Sequence, residues 1–560
     1  MIQLFVIFSF FAWTISLLGL GCFASEFVKK YLKYFEIDDE FKFLYYGTLG
    51  LMIISVIGTI FNFFIPLNSV FSSIILLIGI ILFFVYRKNI LPSCHWVNIL
   101  IVLILFFYCA ILSLMDLRAY DTGLYHLPMI NWISNFTLPF GLANLHIRFG
   151  FNSLWFIDAA IIYPLRLVTK SPFFILNAIL FFFYGTSIFL TLLRMIRRKK
   201  IDFSSVFVLT TFIPWSYCLT KFISSPSPDV PIMLLTLLIT FLLIKGFETK
   251  NVNYLFVSLI ISFYAVTIKL SAIPYFAGIF LILFSHLIFG NKLKKKIGST
   301  LENLNNSKLI FASIILLIAG IPYSIRGIIS SGYLVFPSTF GHFNFKWGVS
   351  INEATNIANW VKSWARKPKD NPDKVLGNWD WLNSWLHNIA NDKVLIYTAI
   401  VGILVMAICF ILKKKKDLNI LLFVLPFPLI GCLFWFFSAP NPRFGYGYLF
   451  SLFGILISYG IYNFISKEKN IKYFLTVVCL MITLTLIYKN NISFKEMHDI
   501  NKIKNVELIE EKIMDQIIIY VPRKGDQCFD GPSLCTPQLN KNLRIDLNKN
   551  NEPTMFWIEK

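Results

Sequence analysis

Runs of roughly twenty apolar residues recur along almost the whole chain, and that is the length a helix needs to cross the ~30 Å hydrocarbon core of a bilayer. In lipid the backbone must satisfy its own hydrogen bonds, so such runs have to become helices packed in a bundle. Composition agrees: 57% of the 560 residues are hydrophobic and 14% are charged, against roughly 45–50% and 25% in a soluble domain. About fourteen runs meet the length criterion. They cover Ile2–Phe23, Leu44–Phe64, Val70–Val85, Val97–Leu114, Phe173–Leu193, Phe203–Leu219 and Val230–Ile244. The rest are Val252–Ile268, Ala272–Phe289, Leu309–Tyr323, Val394–Leu412, Leu418–Phe437, Tyr448–Phe464 and Tyr473–Tyr488. The first is too long, and lacks the basic leader, for a cleaved signal peptide.

The formal charge of +21 comes from 51 Lys and Arg against 30 Asp and Glu. Nucleic acid is not the implied partner, because the cations sit in short clusters between apolar runs rather than on one continuous basic face. Clusters of that kind orient membrane helices, basic loops staying in the cytoplasm. Lys29-Lys30-Lys33, Arg87-Lys88, Arg197–Lys200, Lys292 with Lys294–Lys296, Lys413–Lys416 and Lys467-Lys469-Lys472 can all be cytoplasmic together. That requires Leu154–Val168, which contains Asp158, Pro164 and Arg166, to lie at the outer surface as an interfacial helix.

The expected fold class is therefore an all-α polytopic integral membrane protein of a bacterial inner membrane, with outer juxtamembrane helices and a small extracytoplasmic appendage. Residues 1–96 form an N-terminal three-helix membrane segment. Residues 97–488 form the transmembrane core with outer loops 116–153 and 326–393, and residues 489–560 form the extracytoplasmic tail. Trp347, Trp360, Trp364, Trp379, Trp381 and Trp385 in the second loop fit either short helices resting on the headgroup layer or a small packed subdomain. Seven of the nine cysteines lie in or beside apolar runs, where a thiol behaves as a small hydrophobe. The other two, Cys528 and Cys535 in QCFDGPSLCTP, are spaced for a local disulfide in an oxidising compartment.

Chemistry concentrates on the outer face. After the fourth run, Asp116 and Asp121 leave the membrane with Tyr125 and His126, and His146 and Arg148 return toward it. A carboxylate at the lipid boundary is costly to desolvate, so it faces a wet cavity or takes part in chemistry. Asp229, Lys269, Arg326 and Arg443 stand at outer ends of other runs. Three cations beside carboxylates there form an anion site, and the anion a bilayer surface offers is a lipid phosphate. A sugar on a lipid phosphate has a good leaving group, whereas the acceptor hydroxyl needs a base. One carboxylate with Lys and Arg therefore suffices for glycosyl transfer. No P-loop, HExxH, GxSxG or Rossmann pattern occurs. His126, His146 and Asp121 could together bind a divalent metal or orient an acceptor through hydrogen bonds.

YDTGLYHLP around Asp121, SPSPDVPIMLL around Asp229, IKLSAIP around Lys269, IRGIISSGYLVFP around Arg326 and NPRFGYGYL around Arg443 resemble the GT-C superfamily of polytopic glycosyltransferases over roughly residues 97–465. LYHLPMINWI, GLANLHIRFGFNSLWF and DQCFDGPSLCTP are similar to a group of uncharacterised bacterial membrane proteins of polysaccharide-related contexts. The superfamily resemblance implies that Asp121, with Asp116 as fallback, is the catalytic carboxylate. Tyr125, His126, His146, Arg148, Asp229, Lys269, Arg326 and Arg443 would then bind substrate. It implies transfer from a polyprenyl-phosphate sugar to an envelope glycan, lipid or protein, with the bilayer as host; a divalent metal is possible, and the sequence does not require one. Two departures are that three extra runs precede the characteristic loop and that Thr122 follows Asp121 where a second acid is usual. An O-antigen-type polymerase or ligase, relying more on Arg and His, is the alternative enzyme. A lipid-linked glycan transporter or flippase is the alternative outside catalysis.

Overall fold

A computed structural model describes residues 2–465, apart from 33–35, 92–94, 116, 118, 164–173, 200, 219–221, 290–303 and 412–417, and residues 506–559 apart from 515–516. Each of the first thirteen apolar runs coincides with a helix or a broken helix pair. These are α1 (Ile2–Tyr31), α2 (Lys42–Asn62), α3 (Ser69–Ile90) and α4 (Trp96–Leu112), then α5 (Leu127–Asn135) and α6 (Trp155–Ile161) in the first long loop. Next come α7 (Leu176–Arg198), α8 (Phe203–Thr210), α9 (Phe212–Cys218), α10 (Asp229–Thr249), α11 (Asn253–Ile268), α12 (Ile273–Phe289) and α13 (Asn306–Ser331). The second long loop carries α14 (Ile351–Arg366) and α15 (Trp381–Ala390), and the bundle closes with α16 (Lys393–Ile411), α17 (Leu418–Val424), α18 (Pro426–Ser438) and α19 (Pro442–Phe464). The expected span Tyr473–Tyr488 lies outside the described residues, as does Asp116.

Among the described residues nine helices are long and apolar enough to cross a membrane, and four shorter apolar helices accompany them. Central α10 is buried throughout its apolar length, enclosed by α7, α8, α11, α17 and α19. Peripheral α3 turns Val70, Ile74, Leu77, Ile81 and Val85 outward, a stripe at helical spacing that water would not tolerate and lipid would. Lipid tails are as apolar as leucine, so helix association depends on close packing and internal hydrogen bonds. Accordingly, a Cβ added at Gly19 would sit 2.1 Å from the Gly79 carbonyl, and one at Gly50 2.1 Å from that of Leu17; α1 touches α2 and α3 backbone to backbone. Deeper in, the Thr240 Oγ1 bonds the Tyr275 hydroxyl at 2.7 Å and Ser451 Oγ at 2.9 Å, joining α10, α12 and α19. At the far end of α7 and α10, Arg194 holds Glu40 at 2.6 Å and Asp202 at 3.3 Å, and Lys245 holds Asp38 at 2.8 Å.

Three features refine the expected picture. The described chain is mostly helical, as expected, with short strands in the tail: β1 (Leu508–Ile513) pairs antiparallel with β2 (Ile517–Pro522), and β3 (Leu543–Leu547) with β4 (Pro553–Ile558). The apolar stretch at 517–521 is thus a strand, as its β-branched run favours. The described part of Leu154–Val168 does not rest on the surface of the fold: all of α6 is buried against α2 and α5. Asp158 can sit there since Ser55 Oγ donates to its Oδ1 at 2.5 Å and the Tyr264 hydroxyl to its Oδ2 at 2.7 Å, satisfying both oxygens without a cation. The described tail is joined to the helical part: Phe140 and Thr554/Phe556 exchange backbone hydrogen bonds of 2.8–2.9 Å, and the loop of Cys528 and Cys535, here joined as a disulfide, seats on the residues after α4.

Replacing Gly50 by alanine is expected to lower the thermal midpoint in detergent, because the methyl meets backbone that cannot swing aside; overpacking of this kind costs about 1–3 kcal/mol. Gly402→Ala, whose nearest neighbours stand at 3.5 Å, should leave the midpoint unchanged, and equal behaviour of the two variants would contradict the packing described.

Candidate functional site

Asp121 precedes one turn of π-helix, Thr122–His126, closed by the Leu127 N–H on the Thr122 carbonyl. Such turns are rare and concentrate at functional sites. The local cause is Pro128, which has no N–H to give the carbonyl four residues back. That carbonyl, of Leu124, accepts instead from His146 Nε2 at 3.2 Å, while His146 Nδ1 accepts the Arg148 N–H at 3.3 Å. The imidazole is therefore the neutral Nε2–H tautomer, and burial pushes it down to about 3. Through it, the turn bearing Asp121 is bound to the turn bearing Arg148.

The other charged groups arrive from distant stretches. Asp229 opens α10, where the helix dipole favours an anion. Its preceding loop is fixed by Asn177 Nδ2, which donates to the carbonyls of Phe222, Ser225 and Ser227 at 2.6–3.1 Å. Ser225 in turn shares a 2.5 Å hydrogen bond with Thr122 beside Asp121. Lys269 is the extended residue between α11 and a short turn leading to α12. Arg443 occupies the first turn of α19, capped by Asn441, whose side chain accepts its N–H at 3.3 Å.

These side chains form one continuous ionic chain. Arg148 Nη1 lies 3.2 Å from Asp121 Oδ1, Arg443 Nη2 lies 3.3 Å from Asp121 Oδ2, Arg443 Nε lies 3.5 Å from Asp229 Oδ2, and Lys269 pairs with Asp229 Oδ1. Three cations face two carboxylates, leaving a net positive charge. All five are partly exposed, at 9–26%, so the cluster is open to a ligand. Tyr125 lies 5.5 Å below the Arg148 guanidinium, and burial, then the Asp121 charge, drives its hydroxyl well above the ordinary tyrosine range. His126 is 1% exposed with neither ring nitrogen hydrogen-bonded. Burial pushes it down to about 4 although Asp121 and Asp229 pull the other way, so it is a neutral imidazole behind the cluster.

Arg326 does not join this cluster. It is fully buried in α13, where its Nη1 donates to Asn62 Oδ1 at 2.9 Å, and it makes no ion pair with Asp121 or Asp229. Its position near the end of an apolar run is what the sequence reveals; which neighbour it faces depends on the rotation of α13. His146 is at the site as an organiser, with both nitrogens engaged by backbone. Among the described residues no group of three His, Cys, Asp or Glu is arranged to hold a metal ion.

The second long loop supplies residues that sequence reasoning passed over. The helix α14, started by Ser350, which accepts the Glu353 N–H, lies across the cluster. Trp360 stacks on Arg148 at 5.0 Å, and Trp364, one turn on, stacks on Arg443 at 5.2 Å. Phe444 lies 3.7 Å from Lys269 Nζ. The signal was the i,i+4 tryptophan pair in NWVKSWAR, which matches two ligands on one helical face. The tail adds a further clamp: Phe529 N–H donates to the Gly123 carbonyl at 2.8 Å, and the Phe529 ring fills the space a Gly123 side chain would need.

Residues 3–450 match the model of a family described as a domain of unknown function, DUF8201, and the chain belongs to that family. No curated protein and no solved structure matches it.

Two outcomes test the site as a built object. The unfolded chain carries His with the ordinary pKa of ~6.5, so it binds more protons than the folded one at mildly acid pH. Stability contributed by His126 and His146 is complete above about 6.5 and falls as pH drops toward 4. Thermal midpoints across that window should show this slope, and His126→Phe should flatten it. For the clamp, Phe529→Ala is expected to raise amide hydrogen exchange in residues 122–126 several-fold while leaving α10 protected; unchanged exchange would mean the tail merely rests on the turn.

Proposed function

We propose that this member of the DUF8201 family is a GT-C-like membrane glycosyltransferase. It takes a sugar from a polyprenyl-phosphate donor and passes it to an envelope glycan, lipid or protein acceptor. In this reading about fourteen helices cross the bacterial inner membrane, and the ionic cluster opens on its extracytoplasmic face. The observation that carries the reading is the meeting of Asp121, Arg148, Asp229, Lys269 and Arg443 in one partly exposed cluster with excess positive charge. A phosphodiester brings the negative charge that this cluster lacks.

The donor phosphate competes with Asp121 and Asp229 for Arg443 and Lys269. As those cations turn to the phosphate, Asp121 Oδ2 is released to accept the proton of the acceptor hydroxyl. The acceptor oxygen attacks the anomeric carbon, and the bond from that carbon to the phosphate oxygen breaks with its electron pair. The polyprenyl phosphate leaves as an anion against Arg443 and Lys269, so no acid is needed. A single base and a single displacement favour inversion. Arg148 keeps Asp121 oriented throughout, and Trp364 limits the motion of Arg443 on its open side.

Asp121→Asn is expected to reduce transfer of radiolabelled sugar from polyprenyl phosphate to envelope lipid extract by about 10²–10⁴-fold, with insertion and thermal midpoint preserved. Full transfer by that variant would remove Asp121 from the role of base. Trp364→Ala should raise KM for the donor by a factor of about 2 to 30, the worth of one cation–π contact, with a smaller change in kcat. Flux of the lipid-linked sugar into vesicles without a covalent product would favour a flippase instead.

A further inference from the structure

The two ends of the ionic cluster differ in what they offer a ligand. At one end Lys269 and Arg443 hold the carboxylate of Asp229, with Phe444 and Trp364 against them. At the other end stands Tyr120, next in the chain to Asp121 and 60% exposed. Arg523, Lys524, Gly525, Asp530 and Pro532 of the tail loop that meets it are exposed too, and so many polar groups make this edge wet rather than lipid-facing. A second exposed ring is near: Trp360, 42% exposed, lies on the Arg148 guanidinium that holds Asp121 Oδ1.

The disulfide loop of the tail grips Tyr120 at both ends. The Tyr120 hydroxyl donates to Asp526 Oδ1, and the Tyr120 carbonyl accepts from Gln527 Nε2 at 2.6 Å. The bond to Asp526 pushes the hydroxyl up to about 12, so the ring stays uncharged. The loop itself is anchored by the Phe529 N–H on the Gly123 carbonyl and by Asp530, which accepts from Asn131 Nδ2 at 2.8 Å. Among the described residues Asp526 pairs with no cation, and neither its Oδ2 nor Gln527 Oε1 has a partner. Two acceptors are therefore free beside one exposed aromatic face.

That set suits one class of ligand. A pyranose presents C–H groups on one face and hydroxyls around its rim, so it matches an aromatic face with carboxylate and carboxamide oxygens beside it. An acyl chain would need a continuous apolar surface, which the polar loop does not provide. A peptide taken up by strand pairing needs a free sheet edge, and the loop already fills the edge of β2: the Tyr520 N–H donates to the Leu534 carbonyl at 2.9 Å, and the Thr536 N–H to the Tyr520 carbonyl at 3.0 Å.

We propose that Tyr120, Asp526 and Gln527 form a carbohydrate subsite beside Asp121, and that the acceptor is a glycan whose terminal sugar stacks on the Tyr120 ring and presents a hydroxyl to Asp121. The acceptor role rests on the glycosyltransferase reading; the binding of sugar does not. The tail loop thereby reads the acceptor while it is bonded to the turn that bears the base.

Full-length protein in detergent, without donor, is titrated with oligosaccharides released from envelope polysaccharide by mild acid, and binding is followed by saturation-transfer NMR. Tyr120→Ala is expected to weaken binding about tenfold or more, the worth of covering one aromatic face, with the thermal midpoint unchanged because the ring is exposed. Tyr120→Phe, which keeps the ring, should retain most of the binding, and Asp526→Ala should weaken it several-fold, as loss of one hydrogen-bond acceptor does. In transfer assays Tyr120→Ala should raise KM for the oligosaccharide and leave KM for the donor unchanged. No binding by wild type, equal binding by wild type and Tyr120→Ala, or a loss in Tyr120→Phe as deep as in Tyr120→Ala would overturn the subsite, as would transfer to diacylglycerol or a serine-containing peptide in preference to the oligosaccharide. Binding without any transfer would keep the subsite and remove the transferase reading; transfer that Tyr120→Ala does not alter would keep that reading and remove the subsite.

Discussion

A single guanidinium ties the functional face together. Arg443 lies between Asp121 and Asp229, joining the loop after α4, the start of α10 and the start of α19. Charges at the end of an apolar bundle are tolerated only with partners, and each of these is the partner of the next. Asn441, which caps α19 and aims Arg443, and Asn177, which fixes the loop before Asp229, are therefore parts of the site although neither carries charge. The bundle below supplies rigidity: α10, which presents Asp229, is its most enclosed helix.

Polar segments far apart in the chain converge on this ionic line. The Trp360 and Trp364 rings cover two of its arginines from α14, and the disulfide loop of the tail holds the π-helical turn from the other side. In the bland interpretation these segments are membrane-surface padding. Stacking on Arg148 and Arg443 argues against padding, because a tryptophan buried only in headgroups has no reason to meet a guanidinium that already holds a carboxylate. Trp379, 58% exposed, does fit the headgroup role.

Much of this was legible from residue order. Apolar runs located the described helices, with ends that miss by up to eight residues, as at Tyr31 and Ser331, since length and hydropathy decide where a helix lies in lipid and not where its polar ends stop. Ionisable residues at run ends marked Asp121, Arg148, Asp229, Lys269 and Arg443, because desolvation makes such positions costly. The same rule included Arg326 in the cluster, where it does not belong, and could not see that α6 is buried around a doubly hydrogen-bonded Asp158. It also did not foresee the π-turn, which arises from Pro128 and His146 together, eighteen residues apart.

The sequence by itself determined a bundle of apolar helices with charge confined to their ends, because twenty-residue apolar segments have no other solution in a bilayer. Tertiary structure decided which ends meet. Helix rotation is set by side-chain packing and by glycine contacts such as Gly19 on Gly79, and hydropathy does not register it. That rotation puts Arg443 between two carboxylates and leaves Arg326, an equal cation in an equivalent position, facing Asn62.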